Sequence, residues 1–391
     1  MFPRKIYPAL KEHLQSPHIT VLTGMRRTGK TTTIEYLLKE LNSQNKLYMD
    51  FERLDNRDLF SQKNYDAIAN DLEGLGLNLK EKAYLFLDEI QLVKNTPSVL
   101  KYLYDHYKIK FVVTGSSSYY LKNFFSESLS GRKKIFELYP LNFSEFLDFK
   151  QVAHKDIDFF DQRFNSVGYE RLRGYYEEFI DFGGFPEVVL TQKLEDKKNL
   201  LFDILDSYIK VDIQTLTDFR SMDNIQKILK MLSRRVGARI DYAKIARLSG
   251  MSRETVKNYM DFFEQTYIIS RVSVLTKNPD REIVKAQKLY FCDNGLLDIL
   301  SEANSGSKFE NSIFNQLRHH GSIQYYAKKS GMEIDFILNG KMALEVKETP
   351  LEQDGKKLEK LGKNIGIKKT RLIGRFKVPN FDDYIWGGEI K

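Results

Sequence analysis

The chain has 391 residues, of which 42% are hydrophobic and 29% charged, with a formal net charge of +8. That length exceeds one typical core and predicts two to four globular domains. The single cysteine, Cys292, excludes internal disulfides and a cysteine-cluster zinc site. No apolar run reaches the roughly 18 residues of a membrane span, and MFPRKIYPALKEHL lacks the apolar core of a secretory signal, so the cytoplasm is the expected compartment.

Residues 18–22, HITVL, are apolar and β-branched and predict a buried strand. TGMRRTGKTT (23–32) follows, and its Gly24, Gly29, Lys30 and Thr31 fit the spacing G-x-x-x-x-G-K-[ST]. Beyond it, Ile34, Leu37, Leu38 and Leu41 recur at helical spacing. Strand, glycine loop and helix together form a phosphate cradle, because backbone N–H groups and a helix N-terminus surround anionic oxygens. Lys30 would reach the β- and γ-phosphates of ATP, Thr31 would ligate Mg²⁺, and Arg27, Thr28 and Thr32 would complete the cradle. Arg26 and Arg27 occupy variable positions that the motif does not require.

YLFLDE (84–89) predicts a strand buried on both faces that delivers carboxylates at its C-terminal end. Asp88 would hold the ATP-bound Mg²⁺, and Glu89 would act as general base toward the attacking water. KFVVTGSS predicts a third strand ending in Thr114, Gly115 and Ser116. A hydroxyl there, assigned to Ser116, orients the lytic water or touches the γ-phosphate. Arg132, in SLSGRKKIFELYPL, reads either as a finger for a neighbouring subunit's nucleotide or as a surface arginine.

GMRRTGKTT, FLDEIQ, TGSSSYYL, LSGRKKIFELYPLNFSEF and GGFPEV resemble the AAA-type ATPases widespread in bacteria and archaea, a group similar to archaeal signal-transduction (STAND-type) ATPases. The resemblance implies an α/β, RecA-like P-loop ATPase core. It also implies a helical and winged-helix region and a last domain related to restriction endonucleases. The expected bounds are 1–147 for the core, 148–223 for a helical lid, 224–300 for the winged helix and 301–391 for the α/β nuclease-like domain. Lys30, Thr31, Asp88, Glu89, Ser116 and Arg132 take the roles given above.

The middle of the chain agrees with that order. Ile240, Ile245, Ala246 and Leu248 give a short amphipathic helix, Gly250 a tight turn, and Ser252 the cap of a second helix with Val256, Tyr259 and Phe263 inward. Arg253, Glu254, Lys257 and Asn258 would face outward toward DNA. Two apolar runs follow, joined by a polar connection with Lys277 and Arg281 that reads as a basic wing. The same unit could serve packing alone.

GMEIDFILNGKMALEVK (331–347) alternates in both arms. A three-residue loop pairs residues whose numbers sum to an even value, which sets the alternating apolar residues on one face and Glu333, Asp335, Glu345 and Lys347 on the other. Asp335 and Glu345, with Glu310 from the preceding helix, could hold Mg²⁺ beside Lys347, in the manner of the D…E-x-K motif of nucleases. Alternatively, Glu310 forms a capping box with Ser307, and the charged face is simply solvated. Ten Lys/Arg against four Asp/Glu over 355–391 make the C-terminal end basic.

The expected activity is ATP hydrolysis by a motor or switch that acts on DNA without sequence preference, as a homo-oligomeric ring, a hexamer by expectation. A signalling ATPase whose nucleotide state controls assembly and an ATP-regulated, Mg²⁺-dependent nuclease are the alternatives.

Overall fold

The computed structural model describes residues 2–115, 131–155, 160, 162–213, 222–276, 287–301, 303–328 and 331–390. Ser116, Lys277 and Arg281 lie outside these residues. Contacts divide the chain into two compact units. One is Met1–Tyr139 with Lys210–Asp218 and Gln265–Tyr267; the other is Pro140–Ile209, Phe219–Glu264 and Ile268–Lys391. Among the described residues no helix is long and apolar enough to cross a membrane.

The first unit is built on five strands, β1 (Ile19–Thr23), β2 (Lys46–Asp50), β3 (Ala83–Asp88), β4 (Ile109–Gly115) and β5 (Lys133–Glu137). They form one parallel sheet in the order β2-β3-β4-β1-β5. A parallel sheet with helices on both faces needs strands that are apolar throughout, and β1, β3 and β4 are buried at every position. Alternation then sorts the side chains. Ile19, Val21, Leu85, Leu87, Phe111 and Val113 pack in one core with the helices Leu54–Phe60, Tyr65–Gly74 and Thr96–His106. Leu22, Tyr84, Phe86, Val112 and Phe136 pack on the other side with the helices Tyr7–His13 and Lys30–Glu40.

The second unit joins helices to two further sheets. Helix Phe143–Phe149 starts in a capping box between Asn142 and Glu145, and Ser166–Phe182 starts on an Asn165 cap. Helices Pro186–Leu190, Leu194–Ser207 and Met222–Ser233 follow. Helix Tyr242–Ser249 ends at Gly250, whose φ of 77° is the left-handed turn expected of it. Ser252 Oγ accepts the Thr255 N–H at 3.0 Å and opens helix Arg253–Gln265. Ile245, Val256, Tyr259 and Phe263 are buried, whereas Leu248, expected on the inner face, is exposed. Strands β6 (Ile269–Val272) and β7 (Lys288–Phe291) pair antiparallel.

Helices Asn294–Leu300 and Ser305–Leu317 lead into the last sheet. Its strands are β8 (Ile323–Ala327), β9 (Glu333–Leu338), β10 (Met342–Lys347), β11 (Lys369–Gly374) and β12 (Ile385–Trp386), in the order β12-β11-β10-β9-β8. The β9–β10 register pairs Leu338 with Met342, Ala343 with Ile337 and Leu344 with Phe336, the even-sum register that burial requires. Asn339 and Gly340, both at positive φ, make the turn. Ile337 is the one large apolar residue out of phase, and it packs with Ala343, Leu358 and Leu361 under helix Glu352–Ile365. On the even face Phe336 meets the rings of Tyr290 and Phe314. The hairpin therefore packs on both sides, and of its charged residues Asp335 is buried whereas Glu333 and Lys347 stay partly exposed.

Candidate functional site

The glycine-loop sequence TGMRRTGKTT lies between β1 and helix Lys30–Glu40, at the C-terminal end of the parallel sheet, where this class of sheet binds ligands. Two glycines are required there. A Cβ on Gly24 would meet the Leu138 carbonyl oxygen at 2.1 Å, and Gly29, at φ 95°, is the left-handed residue that starts the helix. Leu138 is held in turn, because its N–H bonds the Thr23 carbonyl at 2.7 Å. Thr28 Oγ1 donates to the Met25 carbonyl at 2.8 Å and braces the loop from inside. Arg4 braces it from outside, donating to the Thr28 carbonyl at 2.9 Å and to Tyr139 at 2.8 Å. The Lys30 ammonium is buried and donates to the carbonyls of Gly24 and Met25, each at 3.0 Å. Arg27 and Thr32 are exposed, Arg27 with φ 61°.

Strand order explains the rest. β4 separates β1 from β3, so the end of β4 stands between the loop and Asp88. Thr31 Oγ1 donates to Asp88 Oδ2 at 2.7 Å. Thr114, the last polar residue of β4, donates its hydroxyl to Asp88 Oδ1 and accepts the Glu89 N–H at 3.3 Å. Tyr48, from β2, reaches Asp88 Oδ2 at 3.3 Å. Burial first and the Asp88 charge second hold the Tyr48 phenol well above the usual tyrosine range, so it stays a donor. Glu89 turns at φ 54° and accepts from the Gln91 amide. The structure thus brings Gly24, Thr28, Gly29, Lys30, Thr31, Asp88 and Glu89 together. It adds Arg4 and Tyr48, which the sequence reading missed, and it gives Thr114, named there at the end of its strand but not assigned the role, the contact to Asp88. That role was within reach of the sequence, since Thr114 is the polar residue that ends an otherwise apolar strand; Arg4 and Tyr48 carried no local signal.

The residues fit a magnesium nucleotide. A hydroxyl and a carboxylate lie 2.7 Å apart beside a loop whose backbone is kept free of side chains at Gly24. Arg132 lies elsewhere in the unit. It precedes β5 at the level of Ile19, the end of the sheet away from the loop, where it pairs with Asp105 at 2.9 Å and lies over the Tyr104 ring.

In the second unit, Arg253, Lys257 and Asn258 are exposed on helix Arg253–Gln265. Around the hairpin, Asp335 Oδ2 accepts the Val346 N–H at 3.0 Å and Glu345 pairs with Lys347 at 2.7 Å. Glu310 does not cap its helix. Asn304 does, accepting the Ser307 N–H at 2.8 Å, which corrects the capping-box reading. Glu310 instead accepts the Tyr290 hydroxyl at 2.7 Å and faces Lys288. Burial and the Asp335 charge push both Glu310 and Glu345 above the usual carboxylate range. Burial opposes the Lys288 charge, yet Asp335, Glu310 and Glu333 raise its pKa above that of an ordinary lysine. Among the described residues no group of three or more His, Cys, Asp and Glu side chains is arranged to hold a metal ion.

Comparison with known proteins agrees with the first unit. A family described as an AAA domain matches residues 16–147, and a domain of unknown function matches residues 173–307. An uncharacterized protein of Methanocaldococcus jannaschii is 32% identical over 375 residues, covering 90% of this chain and 81% of that one. An uncharacterized protein of Haemophilus influenzae is 26% identical over 356 residues, covering 86% and 85%. Among solved structures, the Walker-type ATPase of Pyrococcus abyssi is 15% identical, with 77% of this chain and 96% of that one covered and a TM-score of 0.46. The near-full-length likeness to the first relative establishes that the chain belongs to the family of that Methanocaldococcus jannaschii protein, and residues 16–147, around the glycine loop, match an AAA domain.

Proposed function

We propose that the chain hydrolyses ATP and uses the nucleotide cycle to act on DNA as a homo-oligomeric motor or switch. The observation that carries the ATPase reading is the Thr31–Asp88 hydrogen bond of 2.7 Å beside the glycine loop. Mg²⁺ bound with ATP supplies positive charge that neutralises the phosphate oxygens, with Thr31 and Asp88 as its holders. Lys30 exchanges its two carbonyl partners for β- and γ-phosphate oxygens, and the N–H groups at the start of helix Lys30–Glu40 bind the same anion. Glu89 accepts a proton from water as the water oxygen bonds the γ-phosphorus. The bond to the β–γ bridging oxygen breaks, and ADP leaves with that electron pair. Thr114 keeps the two carboxylates in register by touching Asp88 and the Glu89 backbone together.

The DNA reading rests on charge and exposure. Arg253, Lys257 and Asn258 share one exposed side of helix Arg253–Gln265, the chain carries a net +8, and the excess lies toward its C-terminal end. Glu254, exposed among them, opposes base-specific contact, so phosphate-backbone binding is the mode proposed. In this reading 1–147 is the ATPase core, 148–223 a helical lid, 224–300 a winged helix with Lys277 and Arg281 in its wing, and 301–391 a nuclease-like DNA-holding domain. Arg132 exchanges Asp105 for a neighbouring subunit's nucleotide in a hexameric ring.

The test is ATP turnover measured with single-stranded, duplex and junction DNA at low and high salt. Turnover stimulated several-fold by one of these, with salt-sensitive binding, is expected. Unchanged turnover with no gel shift at low salt removes the DNA part and leaves a nucleotide-controlled assembly. A parent protein that binds no nucleoside triphosphate removes the whole reading.

A further inference from the structure

Lys288 opens β7, and its side chain is 1% exposed. An ammonium buried to that degree needs polar partners, and its charge is best answered by carboxylates. Three do so, from two elements. Glu333 Oε1 lies 3.1 Å from Nζ and Asp335 Oδ1 3.2 Å, both from β9, and Glu310 Oε1 lies 3.4 Å away on helix Ser305–Leu317. Glu310 and Asp335 are two of the three residues whose pattern in the sequence suits a divalent ion. We propose that Lys288 is a resident cation standing where that ion would stand. The cluster of Glu310, Glu333 and Asp335 around it is then a metal-independent clasp that ties the β6–β7 pair to the last sheet, and a divalent ion enters only when Lys288 is removed.

The oxygen inventory supports the exclusion. A divalent ion needs several oxygens converging at about 2.0–2.6 Å. Asp335 offers one oxygen to the ammonium and the other to the Val346 N–H. Glu310 Oε1 is shared between Lys288 and the Tyr290 hydroxyl, and Glu345 is paired with Lys347. An ammonium among these carboxylates also repels a second cation at short range. The clasp extends through the backbone. Arg239 forms an antiparallel bridge with Lys288 and sends its guanidinium to Glu333 at 2.9 Å. Beside it, Leu275 N–H bonds the Tyr325 carbonyl of β8 at 2.6 Å. The strand pair is thereby fixed to the sheet edge by hydrogen bonds and to the hairpin by charge.

The experiment is a Mn²⁺ titration of the full chain without nucleotide, followed by paramagnetic resonance of free Mn²⁺ and by thermal unfolding. Parent and variants carry the same phosphate loop, so differences between them report on the cluster. The parent is expected to show no site that Asp335→Asn removes, and no DNA cleavage in Mg²⁺ or Mn²⁺. Lys288→Gln is expected to gain one Mn²⁺ site and an unfolding midpoint that rises with Mn²⁺, both lost again when Asp335→Asn is added. The proposal is overturned if the parent binds Mn²⁺ through Asp335, if it cleaves DNA in a manner abolished by Glu345→Ala, or if folded Lys288→Gln ignores Mn²⁺. Should Lys288→Gln fail to fold, the parent and Asp335→Asn titrations decide alone.

Discussion

Thr114→Val isolates the contribution of one hydroxyl to the proposed ATP site. The residue is fully buried at the end of β4, and valine keeps its branched shape. What disappears is the donor to Asp88 Oδ1 and the acceptor of the Glu89 N–H at 3.3 Å. A hydrogen bond to a charged group contributes about 1.5–3 kcal/mol and a long neutral one about 0.5–1 kcal/mol, so about 2–4 kcal/mol of local ordering is at stake. The Glu89 N–H retains Asp88 Oδ1 at 3.1 Å, and Asp88 retains Thr31, which places the effect toward the lower end. If that ordering is expressed mainly in the transition state, kcat falls roughly 30- to 100-fold, at about 1.4 kcal/mol per decade. Nucleotide affinity changes by less than about threefold, because Gly24, Gly29 and Lys30 are untouched. Phosphate-release kinetics give kcat, and titration of a fluorescent ATP analogue gives Kd. Turnover within twofold of the parent refutes the role of Thr114. Equal losses in kcat and affinity refute the mechanism in another way, since they mean that the loop itself collapsed.

Three further perturbations probe separate links. Glu89→Gln keeps ATP bound but lowers turnover about 10²- to 10⁴-fold in the same phosphate-release assay, the usual contribution of a positioned base; parent-like turnover would assign proton removal to another group. Gly24→Ala drives a methyl to 2.1 Å from the Leu138 oxygen, which the Thr23–Leu138 bond resists. A destabilisation of about 1–3 kcal/mol and a clear loss of nucleotide affinity are expected by thermal unfolding and titration, and an unchanged variant would mean that the loop does not approach β5 closely. Asp293 is buried, and burial raises its carboxyl to about 6, against hydrogen bonds from Gly184 and Leu296 that favour the charged form. Its folded pKa exceeds the unfolded one, so the folded state binds the extra proton and stability falls as pH rises from about 4 to about 6. Asparagine does not titrate. The stability advantage of the parent over Asp293→Asn therefore shrinks by roughly 2–3 kcal/mol between pH 4 and pH 7 in urea unfolding, and a pH-independent difference would contradict this.

What could be read from the sequence was local or periodic. The glycine spacing, the apolar run into Asp88 and the Gly250 turn each depend on neighbours a few positions away, and all take the expected form. The hairpin register followed from burial alone, because a one-residue slip would have exposed every alternate apolar side chain. What escaped depends on strand order and on contacts across the chain. Thr114 matters because β4 lies between β1 and β3, a fact that no stretch around Thr114 encodes. Arg4 braces a loop 24 positions away, and Tyr48 meets Asp88 only because β2 and β3 are neighbours. Ser307 three residues before Glu310 looked like a cap, but Asn304 opens the helix one turn earlier and leaves Glu310 for Lys288.

Lys288 shows why the two kinds of information differ in reach. At the start of a short strand beside a basic connection, a lysine reads as one more solvated charge. Its meaning comes from Glu310, 22 positions on, and Asp335, 47 positions on, which fold and burial bring to one point. The pattern that suggested a metal counted acidic ligands and could not count a cation arriving from another strand. Charge balance at a buried point is a property of the assembled unit, so a D…E-x-K spacing names candidate carboxylates but says neither which of them converge nor whether a free ion or a tethered ammonium neutralises them. Here the ammonium is already in place, and the same ion pairs that would exclude a divalent ion also fix β7 to β9, which in the proposed reading makes the hairpin's polar face a structural joint of the second unit rather than a reactive edge.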